Sequence, residues 1–149
     1  MRITAKFSYT RCALTFICIV FTGSLMAFQL QEWEVQYTAT HSQYNQKNNW
    51  NAGRLNSRNR RFNEAGELGA DFTDSVPLNE VTLGDPGEDT TYQPIVWHVL
   101  VKCREGSENG GDCKTETDNL RGGTLSGNYF YLYFKTKDDA VAFVNFFRK

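Results

Sequence analysis

The chain has 149 residues and a formal charge of −1, and the stretch up to Ala27 holds Arg2, Lys6 and Arg11 and no acid, so the rest of the chain carries −4. A mildly acidic remainder of this length argues against nucleic acid as the main partner, and it fits one domain with a single modest core. No cofactor or metal is expected, because neither a paired Cys/His ligand set nor an EF-hand spacing occurs.

The basic start is followed by an apolar run from Cys12 to Thr22, a break at Gly23-Ser24, and Leu25-Met26-Ala27. That order predicts a secretory signal peptide over residues 1–27 and a mature domain over residues 28–149. The alternative is an uncleaved membrane anchor over residues 12–28, which at about 17 residues is at the short edge of a bilayer span. A secreted or periplasmic location follows from the first reading and a membrane partner only from the second. Cys12 and Cys18 would leave with the signal, so Cys103 and Cys113 are expected to form a disulfide around a turn-rich loop. A redox site would need Cys-x-x-Cys, which is absent.

Gln31 to Thr40 alternates with period two, placing Trp33, Val35, Tyr37 and Ala39 on one face and Glu32, Glu34, Gln36 and Thr38 on the other. His41 to Asn63 is rich in Asn and Gln, with Lys47, Arg54, Arg58, Arg60 and Arg61 and no acid. Glu64 to Tyr92 inverts the charge, with acids, Gly and Pro but no Lys or Arg. Residues 41–92 are therefore expected to be long loops lying over a sheet, with one short strand within Val76–Leu83. The two charge blocks would pair loosely, each exposed contact contributing little. A sharper alternative makes Arg54, Arg58, Arg60 and Arg61 a patch for an anionic partner.

Pro94 to Cys103 predicts a central strand, with Ile95, Trp97, Val99, Val101 and Cys103 on one face and Val96, His98, Leu100 and Lys102 on the other. Lys114 to Leu120 is expected to pair back on it as a hairpin arm, and Arg121–Gly127 reads as a flexible approach to the last strand. In Tyr129–Phe134, Phe130, Leu132 and Phe134 alternate with Tyr129, Tyr131 and Tyr133. Thr136 then caps a helix whose apolar stripe is Ala140, Phe143, Val144 and Phe147. The fold class predicted is α+β: a small antiparallel sheet with the C-terminal helix packed on one face.

If Phe130, Leu132 and Phe134 lie under the helix, Tyr129, Tyr131 and Tyr133 emerge opposite, with His98 and Lys102 beside them. That aromatic face is the candidate contact surface for a protein or glycan partner, because Tyr offers area and a hydrogen bond at low entropic cost. The bland reading is a second core roofed by the Trp50–Phe62 segment. The expected function is an exported, non-enzymatic binding module. Two alternatives are a subunit of a surface or envelope assembly and a small secreted hydrolase, such as a ribonuclease, built from Glu34, His41, His98 and Arg58. No catalytic residues are assigned, because nothing in the order of the chain makes those four converge.

Overall fold

The structure, a computed structural model, describes residues 32–105 and 112–148. The expected signal peptide and its cleavage point lie outside them. Ten strands, one α-helix and a short 3-10 turn (Leu78–Glu80) are described: β1 (Glu32–Ala39), β2 (Ser42–Asn51), β3 (Arg54–Asn63), β4 (Leu68–Pro77), β5 (Val81–Leu83), β6 (Gly87–Asp89), β7 (Val96–Cys103), β8 (Lys114–Asp118), β9 (Thr124–Gly127), β10 (Tyr129–Phe134) and α1 (Lys137–Phe147). They form two antiparallel sheets, one of six strands in the order β1-β2-β3-β4-β8-β9 and one of four in which β7 lies between β10 and the pair β5 and β6. The α+β class and the helix packed on a small antiparallel sheet are as the alternation and the helical stripe predict.

The C-terminal unit folds as its pattern dictates. Phe130, Leu132 and Phe134 are buried against Ala140, Phe143 and Val144, and the Phe134 and Phe143 rings lie 5.3 Å apart. Thr136 caps the helix by accepting the Asp139 N–H at 3.1 Å. Trp33 of β1 stacks on Phe134 at 5.1 Å and meets Phe143 at 5.3 Å, so the large sheet closes over the same cluster. β7 is central, and Val99, Val101 and Cys103 are buried on the helix side. Val96 is also buried, packed with Val35 and Tyr37 on the other face, whereas Ile95 lies outside the strand and is exposed.

The long loops expected over residues 41–92 are instead mostly strand, and this is the main correction. β2, β3 and β4 have ten residues each and pair in continuous antiparallel register apart from one irregularity at Arg61/Phe62. Hydropathy misleads here because the inward positions are polar: Gln46, Asn48, Ser57 and Asp74 are all buried. Side-chain amides make the burial tolerable. Gln46 Nε2 donates to Asn59 Oδ1 at 2.8 Å, Asn48 Nδ2 to Gln46 Oε1 at 3.0 Å, and Asn59 Nδ2 to Asp74 Oδ2 at 3.1 Å. The β2–β3 link is the two-residue loop Ala52-Gly53 with both φ positive (50° and 76°), the backbone of a type I′ hairpin turn.

β8 also departs from expectation. It pairs with β4 and β9 in the large sheet, not with β7. The Cys103–Cys113 disulfide is formed. It joins the end of β7 in one sheet to the residue before β8 in the other, and so staples the two sheets together.

Candidate functional site

The second sheet meets the first edge-on. Gln46 Nε2 donates to the Tyr131 carbonyl at 2.9 Å, Gln46 Oε1 accepts the Tyr133 N–H at 2.7 Å, and Trp33 Nε1 donates to the Tyr133 carbonyl at 2.9 Å. These are the outward-pointing backbone groups of β10, because the intervening residues bond to β7. One buried side-chain amide therefore stands where a neighbouring strand's peptide would stand. An unpaired sheet edge is a template for unwanted pairing, and here it is closed by Gln46 and Trp33. The helix fills one side of this junction. The tyrosine side of β10 forms the other.

Tyr129, Tyr131, Tyr133, His98 and Lys102 do share one face, set by the register Tyr129↔Lys102, Tyr131↔Leu100 and Tyr133↔His98. They are not equally available. Tyr129 and Tyr131 are 54% and 41% exposed, and Lys102 is exposed beside them. Tyr133 is half-buried, packed on Tyr37 at 5.0 Å and Tyr92 at 5.6 Å. His98 is half-buried too, edge-on to Tyr131 at 5.3 Å, with its Nδ1 buried and unpartnered among the described residues. Its ring lies over Gly87, where an added Cβ would sit 2.7 Å from Nε2, so a side chain there would push the imidazole aside. The roof over the inner half is thus Tyr37, Tyr92 and β6. It is not the Trp50–Phe62 segment: Trp50 packs on the helix, against Phe146 and Phe147.

Tyr37, Tyr44, Tyr92 and Tyr133 form one ring cluster with Tyr37 at its centre, 5.2 Å from Tyr44 and 4.5 Å from Tyr92. Tyr92 is set there by paired backbone bonds between Thr38 and Gln93 at 2.8 and 2.9 Å. Burial, reinforced by the neighbouring phenols, pushes the Tyr37 and Tyr133 hydroxyls well above the ordinary tyrosine range, so both stay protonated.

The four arginines do not make one patch. Successive strand residues face opposite sides, so Arg54, Arg58 and Arg60 lie on the outer face of the large sheet and Arg61 on the inner. Arg58 forms a two-pronged pair with the buried Asp71 at 2.9 and 2.6 Å, and its guanidinium holds that carboxyl below the usual range. Arg54 donates to Ser75 at 2.9 Å and Arg60 to Asn45 at 2.9 Å. Next to them Glu34 pairs with Lys47 at 3.1 Å and is held at about 2, first by its hydrogen bond from the Asn45 amide. On the inner face Lys114 bridges Asp74 at 3.0 Å and Glu116 at 2.7 Å, yet burial outweighs that pairing and raises the Asp74 carboxyl. His41 contacts Glu64, so Glu34, His41, His98 and Arg58 are each engaged with different neighbours.

Because the small sheet covers only part of the large one, the inner face stays open at its other end. A cleft of about 380 Å³ lies there, walled by Tyr37, Tyr44, Phe72 and Leu120 and edged by Arg60, Arg61, Arg121 and Asp118. Reading by sequence missed it, since its residues come from β1, β2, β3, β4 and the β8–β9 turn. The adjacent Arg60-Arg61 was the one visible signal. No protein-family model, curated protein or solved structure matches the chain.

Proposed function

We propose that the chain is an exported, non-enzymatic binding module that contacts a partner protein through Tyr129, Tyr131 and Lys102. The observation that carries this reading is two exposed tyrosines beside an exposed lysine, on a strand anchored along its edge by Gln46 and at its end by the half-buried Tyr133 packed on Tyr37. Tyr and a flanking cation on a pre-organised scaffold offer contact area and hydrogen bonds with little entropy to lose on binding. A protein is favoured over a glycan at this surface because the Tyr129 and Tyr131 rings are tilted by 79° and give no flat platform for sugar stacking. The Cys103–Cys113 disulfide supports an oxidising, exported setting. Tyrosine nitration of the full chain with mass-spectrometric mapping should modify Tyr129 and Tyr131 and spare Tyr133. Partner capture by a photo-crosslinker placed at position 129 should then fail when Tyr131→Ala is added while the fold is kept. Equal capture by wild type and variant sinks the reading.

Membership of an envelope assembly is the second reading, favoured by the edge strand β9, which among the described strands pairs with β8 alone and leaves Leu125 68% exposed. Concentration-dependent oligomers in size-exclusion chromatography that Leu125→Pro abolishes would support it over the first.

A further inference from the structure

We infer that the cleft on the open end of the large sheet binds a sugar acid, that is, a hydroxylated ring bearing a single carboxylate. The site is separate from the Tyr129–Tyr131 surface and the inference does not depend on it. Arg61 from β3 and Arg121 from the β8–β9 turn edge the cleft, and neither has an ion-pair partner among the described residues. Arg60 also lines the cleft, but its guanidinium is engaged on the outer face, donating to Asn45 at 2.9 Å and lying over the Phe62 ring at 5.9 Å, so the free charge here is that of Arg61 and Arg121. Guanidinium groups left unpaired around a concavity match a carboxylate in two-pronged geometry.

The charge and the walls narrow the ligand further. Asp118 accepts the Leu120 and Arg121 N–H groups at 2.9 and 3.1 Å through Oδ1, and its Oδ2 has no partner among the described residues. That carboxylate repels a dianion such as phosphate more than a monoanion, and its free oxygen is an acceptor suited to a hydroxyl. Tyr44 and Phe72, both half-buried, supply an apolar wall for the C–H face of a ring. Asn59, at the floor, is already bonded to Gln46 and Asp74, so the site is stiff before a ligand arrives. A volume of about 380 Å³ lies within the small-molecule range.

The test is calorimetric titration of the full chain with galacturonate, trigalacturonate, the neutral galactose trimer and benzoate. Saturable binding of the sugar acids is expected. Arg61→Ala and Arg121→Ala should each weaken it roughly tenfold, as the loss of a charge-assisted contact does. Arg61→Lys should fall between. Both arginines are exposed and unpaired, so circular dichroism and thermal midpoint should be unchanged in every variant. Equal affinity for monomer and trimer marks a free sugar acid as the source, and tighter trimer binding marks a residue of an acidic polysaccharide. The inference is overturned if neither sugar acid binds saturably, if the neutral trimer or benzoate binds as tightly, or if the arginine variants bind like wild type.

Discussion

The two sheets solve the same problem with opposite chemistry. The small sheet and its helix exclude water with Phe130, Leu132, Phe134, Phe143 and Val144, while the inner face of the large sheet buries Gln46, Asn48, Ser57 and Asp74 and links them by hydrogen bonds through Gln46 and Asn59, with Asn48 Oδ1 left unpartnered among the described residues. The first arrangement is non-directional and scales with area; the second is directional and fails group by group. An apolar corner tolerates small repacking. A polar face holds its register because a slip of one residue would strand every amide it buries.

That contrast can be broken at its apolar side first. Phe143→Ala should cost about 3–5 kcal/mol, as truncation of a fully buried aromatic does, read by denaturant unfolding. A loss within ~0.5 kcal/mol is the size seen at exposed sites and would mean the helix docks elsewhere. Next is the staple between the sheets. Cys103→Ser should lower stability by about 2–3 kcal/mol, the loop-closure value for so short a separation. Thiol titration of the native protein that finds both cysteines free would remove its basis.

The polar side should respond through single hydrogen bonds. Gln46→Leu keeps volume but leaves the Tyr131 carbonyl and the Tyr133 N–H without their partner, at about 1–3 kcal/mol for a stranded buried group. Hydrogen exchange should speed at the Tyr133 amide before it speeds in β7; protection unchanged at Tyr133 would show that another group bonds there.

A pH experiment sharpens the comparison with a smaller effect. Glu34 has its pKa lowered from an ordinary 4.5 to about 2, chiefly by Asn45, so its stabilisation is complete above pH 4.5 and is lost as pH falls through about 2. The stability deficit of Asn45→Leu should therefore be larger at pH 7 than at pH 2, where what remains is the lost Arg60–Asn45 bond, in denaturant titrations at both. Asp74 runs the other way: burial raises its carboxyl, so its contribution favours the fold at low pH and fades as pH rises through the raised value. The smallest effect belongs to Asn56→Ala on the outer face, within about 0.5 kcal/mol despite two hydrogen bonds, because water replaces both partners.

The same contrast explains what the sequence disclosed. β1, β7, β10 and α1 announce themselves because apolar residues recur at the period of the element that buries them. β2 carries a period-two pattern as well, but it reads Tyr44, Gln46, Asn48, Trp50, and buried amides are invisible to a hydropathy argument. Its hairpin turn is Ala52-Gly53, a faint version of the Asn-Gly signal. The complementary charge of the basic and acidic segments was legible, and Arg58 with Asp71 realises it inside one strand pair. The tyrosine face followed from alternation alone, whereas the half-burial of Tyr133 and His98 depends on Tyr37, Tyr92 and Gly87, which no spacing connects to them.

Gln46 and Trp33 reach their β10 partners across 85 to 100 residues of chain. Topology of that kind makes folding slow, because loop-closure entropy is spent before the distant contacts form. As the chain emerges, β1 to β4 can ladder early, yet their inner polar face has no opposite number until Tyr131 and Tyr133 arrive. The last strand therefore acts as a completion check: until it docks, the nascent sheet shows a row of wet amides to its surroundings, and afterwards the same amides hold the molecule shut.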